Sequence, residues 1–296
     1  MIEAVVERLR ELRNPDGGWG TTAGRPSNTE STALAVLAFS DDEAVRGPGV
    51  AWLLAHQRPD GSWPWTEEID RPSWASSQAL LALADAGADG DAVDRGIDWL
   101  LALEGRGFDW RYRLREFLSR NRTLELDGTL IGWPWATDTF SWTEPTSWAL
   151  LALKTAIPAN RSRRARSRIR EAEEMILDRE CPGGGWNYGN KRVLGVDEIP
   201  YPDTTALALL ALQGAGGDDI RSRNLAVLDR LVDATGSGLA LSLGILCRSA
   251  YGRETADLLA RAERRFDGDG YLDETRVIAL VVLAARRPDV LRLTDD

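Results

Sequence analysis

Six segments of this chain are apolar at nearly every position: "STALAVLAF" (31–39), "SSQALLAL" (76–83), "TSWALLAL" (146–153), "TALALLAL" (205–212), "LALSLGIL" (239–246) and "RVIALVVLA" (276–284). Each follows a segment that is charged on one side and apolar on the other, such as "DAVDRGIDWLLALE" (91–104). An unbroken apolar run can be a buried strand, but Ala and Leu dominate these runs and both favour helix, so the pattern predicts helices. A helix that is apolar all round is buried all round. Six such helices meet that condition by closing into a ring, with their six amphipathic partners outside. The predicted fold is all-α: an α/α toroid (α6/α6 barrel) of six helical hairpin repeats around a central cavity, one domain over residues 1–296.

The turns between outer and inner helices repeat as well. "NPDGGWG" (14–20), "QRPDGSWPW" (57–65), "GWPW" (132–135), "CPGGGWNYG" (181–189) and, with Tyr for Trp, "RFDGDGY" (265–271) each set an aromatic residue after glycine. Glycine supplies the turn, and the aromatic ring packs against the neighbouring repeat. Trp19, Trp63, Trp133 and Trp186 are therefore expected to staple the ring rather than to contact a ligand. The fifth turn shrinks to "TGSG" (235–238), and residues 106–126 are an insertion on the turn side of the third repeat. That insertion is expected either as a lid over the cavity mouth or as a peripheral surface helix.

Charge and composition narrow the function. A net charge of −10 argues against nonspecific nucleic-acid binding, which needs basic surface. The basic run "RSRRARSRIR" (161–170) reads as the solvated start of a surface helix. The N-terminus has no apolar leader and no stretch reaches the ~18 apolar residues of a membrane span, so a cytoplasmic protein is expected. His56 is the only histidine, which removes a Ser-His-Asp triad and multi-histidine zinc sites; it is expected at the end of an outer helix. Cys181 and Cys247 fit no metal spacing and are expected too far apart to bond. Neither a metal nor a cofactor is expected.

Placing the apolar cores in register brings acidic residues to the start of four inner helices: Glu30, Glu144, Asp203 and Glu274. Asp138, Asp197, Glu198 and Asp273 lie in the same turns. Carboxylates favour helix N-termini by ~0.3–1 kcal/mol each, which accounts for one or two of them. Acids facing a common cavity repel, raise one another's pKa values and so can hold a transferable proton. Trp74, Trp142 and Tyr201 sit at or near the same helix starts, where their faces could steady a cation. Trp148, inside an apolar core, is expected to pack between helices.

With these residues in place, the chain resembles the terpene cyclase and prenyltransferase superfamily. "QRPDGSW" (57–63) is similar to the Gln-to-Trp repeat of squalene–hopene and oxidosqualene cyclases, with "NPDGGW" and "CPGGGW" as degenerate copies. Protein prenyltransferases hold zinc with an Asp, a Cys and a His, and the placement of His56 and Cys181 does not match that branch. Class II cyclases carry Asp-x-Asp-Asp-Thr-Ala at the start of an inner helix, its middle Asp protonating an alkene or epoxide. "YPDTTA" (201–206) sets Asp203 on that position, with Tyr201 and Thr204 on the flanking two. The resemblance implies an acid-initiated isoprenoid cyclase with Asp203 as proton donor; Glu144 and Glu274, from the same acidic register, are further catalytic candidates. Trp74, Trp142, Tyr201 and Glu30 would contact the apolar isoprenoid ligand. Two alternatives fit the same residues: a carbohydrate-active α/α barrel with paired carboxylates, and a non-catalytic toroid that binds a lipid or a protein partner.

Overall fold

The computed structural model describes residues 2–106, 125–157 and 162–293. Twelve α-helices are found among them. The outer helices are α1 (Ile2–Glu11), α3 (Glu43–Ala55), α5 (Gly90–Ala102), α7 (Arg163–Asp178), α9 (Gly217–Asp233) and α11 (Ala256–Asp269). The inner helices are α2 (Thr29–Ala38), α4 (Ser76–Asp85), α6 (Thr143–Ala156), α8 (Pro202–Ala211), α10 (Gly238–Ala250) and α12 (Thr275–Arg286). Every residue of α2 is buried, as an all-apolar helix requires. Each inner helix touches the next, α2–α4–α6–α8–α10–α12, and α12 touches α2, so the ring closes. Each outer helix packs on the inner helix of the preceding repeat, with α1 on α12. The first repeat thereby meets the last, and Arg8 of α1 makes a two-pronged contact with Asp273 at 2.7 and 2.8 Å. The all-α toroid expected from the sequence is the fold.

The repeated tryptophans join the two rings through hydrogen bonds as well as packing. The indole N–H of Trp19, Trp63, Trp133 and Trp186 donates to the carbonyl of Leu9, Leu53, Leu100 and Ile176, at 2.7 to 2.9 Å. Each of those carbonyls lies in the last turn of an outer helix, where the regular helical donor four residues on is missing; that of Ile176 also accepts the Arg179 N–H. The backbone N–H of the same four residues donates to a hydroxyl of the following inner helix, Thr32, Ser76, Thr146 or Thr205. Tyr271 repeats the outer half of the device, its hydroxyl donating to Ala262. All four indoles are fully buried. The turn glycines complete the arrangement: Gly61 has φ +91°, and a Cβ there would meet the Arg95 carbonyl of the next outer helix at 2.2 Å.

Two features differ from the sequence reading. A hairpin of β1 (Arg192–Val193) and β2 (Val196–Asp197), turned at Leu194–Gly195 with both φ positive, projects between α7 and α8. The sequence offers too short an alternation there to read as strand. The insertion expected at 106–126 lies, for residues 107–124, outside the described residues. Other expectations have plain outcomes: His56 ends α3, and both cysteines are buried and unbonded. Among the described residues no helix is long and apolar enough to cross a membrane.

Candidate functional site

The hydroxyls that receive the staples fix the register of the inner helices. Two residues before Thr32, Ser76, Thr146 and Thr205 stand Glu30, Trp74, Glu144 and Asp203. The sixth inner helix aligns through its first threonine. Thr29, Thr143 and Thr275 each donate their backbone N–H to a carbonyl of the following turn, Trp65, Tyr188 and Thr21 respectively. That sets Arg276, not Glu274, at the position of Glu30 and Glu144. Glu274 lies two residues earlier, exposed, in the residue preceding α12. The expected fourth acid of the layer is thus an arginine.

Arg276 organises the ring mouth. In the closed ring α6 lies opposite α12, and the Arg276 side chain spans the axis between them. Its Nη2 donates to Glu144 Oε1 at 2.6 Å, and its Nε lies 3.5 Å from Glu30 Oε1 on the adjacent helix. Gln78 of α4 donates its amide to the same Glu30 oxygen at 3.1 Å. The two glutamate side chains are only 6 and 8% exposed. Burial pushes the Glu144 carboxyl above the usual carboxylate range; Arg276 pulls it back, and the neighbouring charges of Glu30 and Asp203 push it up again. Burial works against the Arg276 cation, but Glu30 and Glu144 more than offset it, and the guanidinium is held charged.

Asp203 is placed differently. It is half-buried at the start of α8, and its side chain makes no hydrogen bond or ion pair among the described residues. A capping role, which would show as a bond to the first-turn N–H groups, is not what it does here. Three of the other acids of the turns pair elsewhere. Asp138 faces Arg106, Asp197 bonds Arg192, and Asp273 bonds Arg8.

An aromatic arc borders the carboxylates. Trp65 stacks on Trp74 with centroids 4.9 Å apart, and Trp74 meets the edge of Trp135 at 5.3 Å. Tyr188 and Tyr201 follow, 5.4 Å apart and both exposed in part. Burial, together with Asp203 and Glu144, raises the pKa of Tyr188, which ties this ring to the acidic layer. Trp142 precedes α6 and instead lines a cavity of about 140 Å³ with Phe140, Arg179 and Gly189. Trp148 is buried in the core as expected, although its indole N–H has no partner. Sequence reasoning missed Arg276, Gln78, Trp65, Trp135 and Tyr188. The signals were present: "TR" at 275–276 aligns with "TE" at 29–30, and the second aromatic of "WPW" and "WNY" stands two residues after three of the four staples, Trp63, Trp133 and Trp186. Among the described residues no group of acidic, His and Cys side chains could hold a metal ion.

No family model matches the chain. Drimenyl diphosphate synthase from Streptomyces showdoensis is 35% identical over 102 residues, covering 30% of this chain and 19% of that enzyme. The chain therefore spans about a fifth of the length of that relative. A type II terpene cyclase from Scytonema, solved with geranylgeranyl dihydroxybenzoate, matches over 99% of this chain and 97% of its own, with a TM-score of 0.57 at 13% identity. An α-amylase from Clostridium perfringens matches over 97% and 98%, with a TM-score of 0.62 at 13% identity. Identity this low speaks to the fold alone, and the fold is shared by proteins of different chemistry. The chain thus has the α/α toroid fold found in type II terpene cyclases, and parts of its sequence are similar to drimenyl diphosphate synthase and squalene–hopene cyclase.

Proposed function

We propose that the chain carries out acid-initiated, class II-type cyclisation of a linear isoprenoid at the mouth formed by the inner-helix starts. The observation that carries this reading is Asp203. It stands where the resemblance implies the proton donor, and it is the one carboxylate of its layer without a hydrogen-bonding or cationic partner among the described residues. Its neighbour Glu144 is buried, and its carboxyl is pushed up by that burial and by the charges of Glu30 and Asp203 against the pull of Arg276. The layer therefore favours holding a proton.

In the proposed reaction the Asp203 O–H gives its proton to the terminal alkene carbon, and the alkene's electron pair forms the new C–H bond. The adjacent carbon becomes a tertiary cation, which the next double bond attacks to close a ring. The last cation loses a neighbouring proton to a carboxylate or to solvent, and Asp203 regains its own from solvent. Trp65, Trp74, Trp135, Tyr188 and Tyr201 present aromatic faces to the moving charge, each worth ~2 kcal/mol or more when desolvated. A glycosidase needs two carboxyls free to act as acid and as nucleophile or base. Glu30 and Glu144 share one guanidinium instead, which favours the cyclase reading.

Incubation with farnesyl diphosphate, geranylgeranyl diphosphate and squalene, with products separated by gas chromatography and mass spectrometry, tests the proposal. A cyclic product from the native chain supports it. Retention of an isoprenoid with no product after many enzyme equivalents of time would overturn it in favour of a lipid-binding toroid.

A further inference from the structure

One cation stands among three acids in the layer, and it does not pair with its sequence neighbours. Arg276 leaves α12, crosses the ring axis and binds Glu144 of the opposite helix at 2.6 Å, passing Glu30 at 3.5 Å. Its side chain is only 22% exposed, and its Nε, although close to Glu30, has no hydrogen-bond partner. Such a geometry is unfavourable for a mere staple. A merely structural ion pair could be replaced, both partners together, by apolar residues at little loss, whereas removing this arginine alone would leave two buried carboxyls without their cation. What the arginine does that an apolar residue could not is join carboxyls of different repeats electrostatically.

We propose that Arg276 is a positioning residue: its one guanidinium joins Glu30 and Glu144 across the ring axis, and so sets the pH range over which Glu144 holds a proton at the mouth. The charged and titratable groups facing this unit are Glu30 from α2, Glu144 from α6, Asp203 from α8, Tyr188 from the turn before α8, and Glu274 from the turn before α12. From α4 comes the neutral amide of Gln78, and Gly238 begins α10 without a side chain. Arg276 is the only cation among the groups named. Removing it leaves Glu144 with burial and two like charges, all of which favour the protonated carboxyl. The effect on Glu144 therefore has a definite sign: it keeps its proton to higher pH.

This inference deepens the acid-initiated reading, and its test separates the two. Infrared difference spectroscopy of the whole chain follows the protonated-carboxyl band as pH is raised, with Glu144→Gln identifying the Glu144 contribution. In Arg276→Gln the Glu144 band should persist to higher pH by about one to three units, the usual effect of one adjacent opposite charge. An unmoved midpoint overturns the inference. If Arg276→Gln does not fold, Arg276→Lys serves, because it keeps the charge on a shorter, single-pronged group. It should move the midpoint upward by less, and a downward shift overturns the inference. Where product is formed, the high-pH limb of the rate should move up in Arg276→Gln, while Arg276→Lys restores the native limb in part. A uniform loss of rate with an unmoved limb would reduce Arg276 to a structural role. A moved titration with no product in any variant upholds Arg276 and removes the cyclase reading instead.

Discussion

Trp63 offers the sharpest test of how the two rings are held together. Its indole is fully buried, and its N–H caps the Leu53 carbonyl at 2.7 Å. The far edge of the ring system lies against Gly96 of α5, where even a Cβ would sit 3.2 Å from it. A buried aromatic side chain removes ~150–250 Å² from water, worth ~4–6 kcal/mol at 25 cal/mol per Å². Alanine retains a little of that, and the cavity relaxes in part, so Trp63→Ala should cost ~3–5 kcal/mol. Trp63→Phe keeps most of the packing but leaves the Leu53 carbonyl unpaired, for a loss of ~1–3 kcal/mol. Urea unfolding followed by far-ultraviolet circular dichroism measures both. A loss below about 1 kcal/mol in Trp63→Ala would refute the staple and leave Trp63 a ligand-contact candidate.

Other outcomes follow from the site and the core. Because Glu144 is raised in the folded state, the stability it contributes is complete below the ordinary glutamate range and is lost as pH rises through the raised value. Stability should therefore decline across that window in the native chain, and the decline should flatten in Glu144→Gln; an unchanged slope counts against the buried placement. Burial pushes the Cys181 thiol up to about 11 and raises that of Cys247 as well, so neither should react with iodoacetamide near neutral pH until the chain is unfolded. Rapid labelling of the native protein would contradict this. Trp74→Ala should weaken turnover more than stability, since the residue lies in the half-exposed arc; equal loss of both would assign it to packing.

The fold was legible because the inner helices carry no polar stripe, and an all-apolar helix has few burial solutions. The staples were legible through repetition, although their hydrogen bonds were not, since a carbonyl left over at a helix end has no sequence signature. The register places Glu30, Glu144 and Asp203 at equivalent helix starts, as the sequence pattern suggests, and puts Arg276 rather than Glu274 there in the sixth helix. There the eye takes Glu274 as the next acid, while Thr275 fixes a register in which the equivalent residue is cationic. Opposite charge at an equivalent repeat position is invisible to a search for like residues. That Arg276 reaches the far side of the ring depends on closure, which only the three-dimensional arrangement supplies.

A proton delivered by Asp203 to a carbon atom would leave an isotopic mark in the product. Cyclisation run in deuterium oxide should place a single solvent deuterium in the product, because a carboxyl O–H exchanges with solvent before it reacts. Asp203→Asn should lower formation of that labelled product by a factor of ~10² or more, with stability changed by under about 1 kcal/mol. A cyclic product free of deuterium, or full turnover in Asp203→Asn with an unchanged melting curve, would contradict it.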